Sequence, residues 1–465
     1  MRVLGIQTKL HRWSAGDADR RFDDLYNLVV DPAFLVVAWD RVRGNKGART
    51  AGVDGQTAHT IIAGRGVAAF LSDLRSDVKA GRFEPLPARE RLIPKSGGRL
   101  RRLGIPVVRD RVLQASLKLV LEPIFEADFK PCSYGFRPGR RAHDAIAEIH
   151  MFATQSYEWV LEGDIAACFD EIDHAALMDR VRRRVADKRV AGLVKAFLRA
   201  GILSEDLVVR NTNAGTPQGG ILSPLLANIA LSVLDEFFDE RWRTLSATRV
   251  DRARRRRHGL PTFRLVRYAD DFVVMVSGSQ AHAQALEDEV AAVLQTMGLR
   301  LSLEKTMVVH IDKGFDFLGY RIQRHRKSGT AKRYVYTYPA SKSVTSIKGK
   351  VKTITRQGTN QPLTDLLDQL NPVLRGWTAY FRYGVSKATF GYLRHYTWFR
   401  VVCWLRHKHR RSNWKQLRRR YSTQGWWPEQ DDLRLFDPAA VPVTRYRYRG
   451  NIASPWQERR HSTAA

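Results

Sequence analysis

The apolar positions of this chain follow two different periods. Between Arg109 and Glu126, in RDRVLQASLKLVLEPIFE, they recur at the spacing of an amphipathic helix. Trp159–Leu161 is a short apolar run that predicts a buried strand ending in a turn. In RLVRYADDFVVMVSG two β-branched runs meet at Ala269-Asp270, which predicts a β-hairpin. Two further β-type runs, Arg91–Pro94 and Leu103–Pro106, flank a Gly-Gly turn.

The character of the sequence changes after about Ser341. Helical patterns rich in Trp, Tyr and Arg follow, for example in Leu363–Gly384, and predict a second, helical domain. Earlier, the basic run Arg252–His258 fits a solvated insertion as well as it fits a phosphate contact. From about Gly425 the chain is rich in Pro, Arg and Tyr, which predicts irregular structure.

The composition of the chain indicates what kind of partner it binds. The 465 residues exceed what one core supports, and 44% are hydrophobic, which is ordinary for folded domains. Lys and Arg number 78 against 47 acidic residues, a net charge of +31 that favours a polyanionic partner such as nucleic acid. A basic structural protein without chemistry has the same composition. No stretch approaches the about 20 apolar residues of a spanning helix, and the N-terminus lacks a signal-peptide pattern. We therefore expect no membrane association and a location in the cytoplasm or nucleoid.

The sequence YADD contains two adjacent carboxylates at the predicted hairpin tip. Asp270 and Asp271 repel each other unless a cation neutralises them. An exposed pair is also typical of a solvated turn. Both flanking runs look like buried strands, which weakens that interpretation, and the pattern alone leaves the two explanations about even.

A second source of carboxylate follows the run Trp159–Leu161. Asp164 lies in GDIAACFDEIDH, a segment with four further acidic residues nearby. Carboxylates from two neighbouring strands are what a two-metal phosphoryl-transfer site needs, because hard oxygen ligands suit magnesium. Such ions, about 3.5–4 Å apart, activate an attacking hydroxyl and stabilise the leaving pyrophosphate. The sequence contains no GKS or GKT of a P-loop and no zinc-protease motif.

Two other segments have residue types that bind phosphate. The glycines of Gly215–Gly220 (GTPQGG) permit close approach of a ligand to the backbone before a helix begins. Lys95 and Arg101 flank the Gly-Gly turn and have the charge to hold a triphosphate. Taken singly, a tight turn and solvated charges explain the same residues.

The order of these motifs resembles that of reverse transcriptases encoded in bacterial group II introns. The resemblance covers nearly the whole chain. It rests, in family order, on NKGARTAGVDGQT, IPKSGGRLRRLGIPVVRDRVLQ, SYGFRPGRRAHDA, GDIAACFDEIDH, GTPQGGILSPLLANI, YADD, LSLEKT, FDFLGY and the maturase-like LNPVLRGWTAYFRYG. Arg102 and Ala166 depart from the family pattern, which often has Pro and Lys there, and neither position is a metal ligand.

The resemblance implies a right-hand α/β polymerase, with fingers and palm followed by an all-α thumb. It predicts an N-terminal extension with an RT0-like region at 1–80, fingers and palm at 81–335, a helical thumb or maturase (X) domain at 336–425, and a short basic tail at 426–465. Many relatives end in a zinc-supported HNH endonuclease, which needs paired CxxC ligands. Cys403 is the only late cysteine, so we expect no such domain. The other cysteines, Cys132 and Cys168, are expected to be buried or half-buried apolar residues.

The resemblance also implies a role for each site residue. Asp164, Asp270 and Asp271, helped by the backbone carbonyl of Ile165, are expected to hold two Mg²⁺ ions and to be the catalytic residues.

The nucleotide site follows from the same motifs. Lys95 and Arg101 are expected to meet the triphosphate, and Gln218 to line the nucleotide pocket. Phe169 is expected to clash with a 2′ hydroxyl and so to select deoxynucleotides, although a Phe at this point of a pattern is more often core. Lys305 is expected to touch the primer or to donate a proton to pyrophosphate, with a simple salt bridge as the alternative.

The function implied is that of an RNA-directed DNA polymerase and maturase. It would bind its group II intron RNA for splicing and copy that RNA into DNA during retrohoming, with an RNA template, a DNA primer, dNTPs and target DNA as partners. The alternatives are a maturase that only assists splicing and a reverse transcriptase that serves host defence or repair. In Tyr392–Arg420, tryptophans Trp398, Trp404 and Trp414 either stack on bases or pack the thumb core.

Overall fold

The structure is a computed structural model that describes residues 2–94, 100–204, 209–210, 214–422 and 425–457, with 209–210 as backbone only. The chain divides into two compact units. The first comprises 1–141, 160–308 and 451–465, and the second comprises 142–159 and 309–450.

The described helices and strands alternate in the first two thirds of the chain and give way to helices afterwards. In chain order the α-helices are α1 Arg2–Gly16, α2 Tyr26–Val29, α3 Pro32–Gly44, α4 Ala58–Ala63, α5 Val67–Lys79, α6 Val108–Glu126, α7 Ala142–Thr154, α8 Cys168–Glu171, α9 His174–Arg182, α10 Lys188–Arg199, α11 Ser223–Leu245, α12 Arg249–Arg257, α13 Gln280–Gln295, α14 Ser341–Ile354, α15 Leu363–Phe381, α16 Lys387–Lys408 and α17 Trp414–Tyr421. The strands are β1 Ala88–Pro94, β2 Leu100–Ile105, β3 Trp159–Gly163, β4 Ile202–Leu203, β5 Val209–Arg210, β6 Thr262–Tyr268, β7 Asp271–Ser277, β8 Met307–His310, β9 Phe315–Phe317, β10 Tyr320–Arg326, β11 Arg333–Pro339, β12 Glu429–Gln430 and β13 Leu433–Arg434.

Four sheets organise the described strands. The strand orders are β6-β7-β3-β8, β2-β1-β4-β5, β11-β10-β9 and β12-β13. In the first sheet the predicted hairpin β6–β7 pairs antiparallel along its full length and lies next to β3. The hairpin and the strand after Glu158 were both predicted from the sequence, and both predictions are confirmed.

Helix α6 is the central helix of the first unit, and nearly all of its residues are buried. Its apolar residues surround the axis, which is typical of a helix packed on every side. Pro123 interrupts the backbone hydrogen bonds of α6, because proline has no N–H to donate to the carbonyl of Leu119. The side-chain amide of Gln7, in α1, donates to that carbonyl at 2.7 Å instead. The tertiary contact thus satisfies the group that the proline leaves without its helical partner.

The C-terminal helices α14–α17 lie in the second unit and form the predicted helical region. Leucines of α15 recur three to four residues apart, so they share one face, and they are fully buried with residues of α16 and α17. These leucines are Leu363, Leu366, Leu367, Leu370 and Leu374. Each fully buried leucine contributes about 1.5–3 kcal/mol to folding. The bundle therefore depends on this stripe.

Three local predictions are refined by the structure. The basic run Arg252–His258 falls on helix α12, which has no buried residue. The region Tyr392–Arg420 is two helices, because the chain leaves the helical conformation at His409 and Asn413 caps α17. The segment after Gly425 is mostly irregular, as predicted, apart from the short pair β12–β13 and a 3-10 turn. Within the described residues, no helix is both long and apolar enough to cross a membrane.

Candidate active site

The tip of the β6–β7 hairpin presents the first carboxylate. Tyr268 pairs with Asp271, so Ala269 and Asp270 form a two-residue turn. Ala269 has φ 59°, in the left-handed region that a residue with a Cβ rarely adopts. Two-residue hairpin turns require such positive φ angles, and glycine or asparagine usually supplies them. The surroundings of the tip must therefore hold Ala269 in this conformation.

A buried arginine, Arg267, holds the tip of the hairpin through hydrogen bonds. Arg267 and Asp235 have fully buried side chains, and the guanidinium donates to both carboxylate oxygens at 2.8 and 2.5 Å. It also donates to the side chains of Asn228 (3.0 Å) and Ser133 (2.8 Å) and to the backbone carbonyl of Ala269 (2.9 Å). Burial lowers the pKa of Arg267, but attraction to Asp235 more than offsets this, so the pKa is raised and the group stays charged. The network ties the tip to α11.

A glycine brings a second backbone segment against the same tip. The backbone N–H of Tyr134 donates to the carbonyl of Arg267 at 2.8 Å, and the Asn228 side chain donates to the carbonyl of Gly135 at 2.9 Å. A Cβ on Gly135 would lie 2.2 Å from the nitrogen of Ala269. Only glycine allows this approach, because no side-chain rotation relieves a clash between two backbones.

Asp164 follows β3, the strand beside β7. Its carbonyl accepts the N–H of Ser302 at 2.7 Å, which places the LSLEKT segment alongside. Lys305 then reaches its carboxylate, with Nζ 2.5 Å from Oδ2. At the end of β3 a Cβ on Gly163 would lie 2.0 Å from the ring of Phe272, so this position also requires glycine. For Lys305, the structure thus contains the simple salt bridge to Asp164 that was considered beside a role at the primer or pyrophosphate.

These elements surround one polar cavity in the first unit, which we call the aspartate cavity. Its volume is about 650 Å³. The predicted site residues that line it are Asp164, Ile165, Asp270, Arg101, Phe169, Gln218 and Lys305. Asp271 is exposed at the start of β7 and is not among the described lining residues. Asp270 lies in the turn, whereas Asp271 begins β7 and pairs with Tyr268, so the two carboxylates leave different parts of the hairpin. Lys95 lies outside the described residues.

A chain of hydrogen bonds crosses the nucleotide side of the aspartate cavity. Arg101 Nε donates to Gln218 Oε1 at 3.0 Å, and Gln218 Nε2 donates to Asp170 Oδ2 at 3.2 Å. Burial raises the pKa of Asp170, and the bond from Gln218 opposes that rise. Phe169 is half-buried and meets Phe136 edge to face, with the ring centroids 6.4 Å apart. Arg101 and Gln218, two of the side chains predicted to bind a nucleotide, thus contact each other.

The donor set of the aspartate cavity fits a hard divalent cation. Asp164 and Asp270 supply carboxylates, and Ile165 lies beside Asp164. The ammonium of Lys305 places a positive charge against Asp164. Burial, and then the charge of Asp270, raise the pKa of the Cys168 thiol to about 12, so burial favours the neutral thiol. In the described part of the chain, no three acidic, His or Cys side chains are gathered as a metal cluster.

Two features of the site are not predicted from the sequence. One is the buried pair Arg267–Asp235, and the other is the support of the tip by Gly135. A signal for the pair was available, because Arg267 interrupts an apolar strand and Asp235 interrupts an apolar helix. A charged residue inside an apolar run is a candidate for a buried ion pair. Nothing in the sequence indicated which acid would pair with it.

A hairpin with a carboxylate at its tip, beside a strand that ends in another carboxylate, is the palm of a right-hand nucleic-acid polymerase. Residues 93–322 match the family described as reverse transcriptase (RNA-dependent DNA polymerase). Residues 344–422 match the group II intron, maturase-specific domain. The chain belongs to the family of group II intron reverse transcriptases and maturases. Both matches support RNA-directed DNA polymerase and maturase function, and reverse transcriptase domains generally use divalent metal ions.

Individual relatives agree with this assignment. The chain is 38% identical to the protein YkfC of Escherichia coli (strain K12), over 76% of this chain and 98% of YkfC. It is 32% identical to the group II intron-encoded protein LtrA of Lactococcus lactis subsp. cremoris, over 79% of this chain and 65% of LtrA. A 91 kDa protein in the cob intron of Schizosaccharomyces pombe is 32% identical over 68% of this chain. The match covers 44% of that protein, so the chain spans nearly all of one relative and less of the others.

Proposed function

We propose that this chain copies an RNA template into DNA at the aspartate cavity. The observation that carries the proposal is that Asp164 and Asp270, from separate strands, line one cavity together with Arg101 and Gln218. In the reaction the 3′ hydroxyl of a DNA primer attacks the α-phosphate of a dNTP, forming a phosphodiester bond and releasing pyrophosphate. A cavity with carboxylates on one wall and basic groups on another suits both the attacking oxygen and the leaving phosphates.

We propose that Asp164, Asp270 and Asp271, with the carbonyl of Ile165, hold two Mg²⁺ ions. When bound, the ions would lower the pKa of the primer hydroxyl and neutralise charge on the pyrophosphate. Asp164 and Asp270 face the cavity, whereas Asp271 is exposed beside it. We therefore assign the larger share of the binding to the first two.

Cationic groups complete the proposed nucleotide site. We propose that Arg101, which donates a hydrogen bond to Gln218, holds the triphosphate, and we assign Lys95 the same task from its motif. Phe169 would exclude a 2′ hydroxyl. Lys305 is bonded to Asp164, and we propose that it moves to the primer or pyrophosphate when a cation occupies that carboxylate. Its ammonium is the one proton donor within reach of Asp164 that the contacts of the described residues identify.

We propose that the C-terminal helical region binds the RNA. Residues 81–335 would be the fingers and palm, 336–425 the thumb and maturase domain, and the remaining segments the N-terminal extension and the basic tail. The partners would be a group II intron RNA during splicing, and then an RNA template, a DNA primer and target DNA during retrohoming. The net charge of +31 supports polyanionic partners. The retained carboxylates favour this function over a maturase that only assists splicing.

The test is primer extension on an RNA template with dNTPs and Mg²⁺, next to the variant Asp270→Ala. We expect extension by the natural protein and none by the variant. Extension must also disappear on removal of divalent cations. Failure of the natural protein to extend at any salt concentration would contradict the polymerase function. Equal extension by Asp270→Ala would contradict the assignment of the site.

A further inference from the structure

A second cavity lies among the C-terminal helices of the second unit, and we call it the tryptophan cavity. Its volume is about 1070 Å³, sufficient for a nucleotide. Its walls are formed by α16, by α17 and by the chain after Gly425. The side chains that matter here are Arg394, His395, Trp398, Trp414, Trp426 and Trp427.

The indole rings of the tryptophan cavity are held in fixed orientations. Trp414 and Trp426 stack, with centroids 4.6 Å apart and planes 14° from parallel. Trp398 meets Trp414 edge to face at 6.2 Å, and its Nε1 donates to the carbonyl of Trp426 at 2.6 Å. Arg418 lies over Trp426 at 4.5 Å. Large rings with few rotatable bonds, held in this way, lose little entropy when a ligand binds.

The rings are also exposed to a degree that the bundle does not require. Trp404, on the same helix as Trp398, is only 2% exposed and belongs to the bundle core. Trp414 and Trp426 are 36% and 43% exposed. The two roles considered for the tryptophans are therefore divided between them, because Trp404 packs the core and the others do not.

The charge around the tryptophan cavity is positive. Arg394 and Arg434 line it, and Arg418–Arg420 lie in the last turn of α17. Asp437 is the one acid among the described lining residues. Arg394 approaches it at 3.3 Å, and it caps a short 3-10 turn through the N–H of Ala439. The groups that this ion pair leaves for a ligand are the aromatic faces, Arg434 and the exposed arginines of α17.

We propose that the tryptophan cavity binds an unpaired nucleobase of an RNA strand. The base would stack on Trp426 or Trp414, and the arginines would contact the phosphates on either side of it. Aromatic rings interleaved with cations are how proteins hold single-stranded nucleic acid, because every base has a π-face. The proposal rests on the RNA-binding function proposed above. It extends that function beyond the maturase-specific match, which ends at residue 422, before Trp426 and Trp427.

The test uses the full chain and a 12-nucleotide oligo(A) RNA with one central 2-aminopurine. An excess of unlabelled RNA–DNA primer–template occupies the aspartate cavity throughout. We expect the natural protein to quench the fluorophore by stacking, and Trp426→Leu to bind about tenfold more weakly without quenching, the effect of losing one stacked base. Trp426→Phe keeps a ring and restores quenching. The salt dependence stays the same, because no charge changes.

The matched control is Phe399→Leu, which removes another exposed ring of α16, 51% exposed, from outside the cavity lining. It binds the probe like the natural protein. Because Trp426→Leu has the risk of misfolding, the natural protein is also photo-crosslinked to oligo(A) containing one 4-thiouridine. An adduct on the peptides of Trp414 or Trp426 supports the proposal.

Equal binding and quenching by Trp426→Leu, or adducts only elsewhere, would overturn the proposal. Primer extension by the same variants separates this result from the polymerase function. If the natural protein extends a primer but Trp426→Leu binds the probe normally, only the tryptophan cavity is rejected. If the natural protein fails to extend a primer while Trp426→Leu loses binding of the probe, RNA binding at the tryptophan cavity is supported and the polymerase function is rejected.

Discussion

The aspartate cavity and the tryptophan cavity are built from opposite materials. The first presents carboxylates and cations, and its hairpin tip is held by the buried pair Arg267–Asp235. The second presents indole rings and arginines on the surface of a bundle, where Trp427 packs against the core and Trp414 and Trp426 lie outside it. Charged groups out of water must each find a partner, so the first site depends on all of its members at once. Surface rings are replaceable one at a time.

The two cavities meet different requirements: the first needs precise geometry, and the second needs affinity for a strand. Positioning two carboxylates for phosphoryl transfer requires geometry held to within a fraction of an ångström, which a buried, fully bonded network supplies. Holding a strand of variable sequence requires contact area and charge, which exposed rings and arginines supply. We therefore expect substitutions at the aspartate cavity to have large, non-additive effects, and those on exposed basic surfaces to have small ones.

The largest effect is expected at the hairpin tip. Asp270→Asn should lower the rate of primer extension about a thousandfold or more, on the order of 4 kcal/mol, because the carboxylate that faces the cavity loses its charge. Asp271→Asn should lower it only about tenfold, since Asp271 is exposed beside the cavity. Single-turnover rates across a Mg²⁺ titration measure both. Equal losses would mean that the two aspartates share the cation sites equally.

The buried pair should come next. Arg267→Met leaves Asp235 charged and buried without its partner, and should lower the free energy of unfolding by about 3–5 kcal/mol. The double variant Arg267→Met with Asp235→Leu removes both charges and should recover most of that loss in urea unfolding. Its extension rate should stay low, because the Ala269 carbonyl is no longer held. Extension restored together with stability would show that the pair only stabilises the fold.

An intermediate effect is expected at Phe169. Phe169→Ala removes a half-buried ring from the cavity lining and should lower the preference for dNTPs over rNTPs by about tenfold or more. Competition between the two nucleotides in primer extension measures the ratio. Phe136→Ala, which removes the ring that Phe169 contacts, is the control and should change the ratio less. An unchanged ratio in Phe169→Ala would reject the steric gate.

The smallest effect is expected on helix α12. Arg252 and Arg255 donate to backbone carbonyls, whereas the described contacts of Arg254 and Arg256 include no such bond. Replacing these two by Gln should change template affinity less than twofold if the helix is a solvated surface. A salt-dependence slope reduced by about two would instead place both side chains on phosphates. Filter binding at several salt concentrations distinguishes the outcomes.

Local pattern was sufficient wherever a short stretch of chain decides its own structure. The β6–β7 hairpin, the existence of helix α6 and the leucine stripe of α15 follow from the spacing of apolar residues, although α6 was predicted to be amphipathic and is buried on nearly every side. The motif order was sufficient for the family. These features are predictable because each depends on neighbours within a few residues, or on types at fixed separations.

Tertiary structure alone decided what depends on distant partners. Whether Asp270 or Asp271 faces the cavity follows from the turn at Ala269, which Arg267 and the backbone at Gly135 hold in place. Which tryptophan is core and which is surface follows from how α16 and α17 pack, since all of them look alike in sequence.

The sequence by itself therefore determined which chemistry this protein carries: carboxylates for metal, cations for phosphate, and helices for a second domain. Only the fold decided the orientation of each group. Orientation is set by contacts between residues far apart in the chain, such as Arg267 with Ser133, 134 positions away, and short-range periodicity contains no information about such pairs.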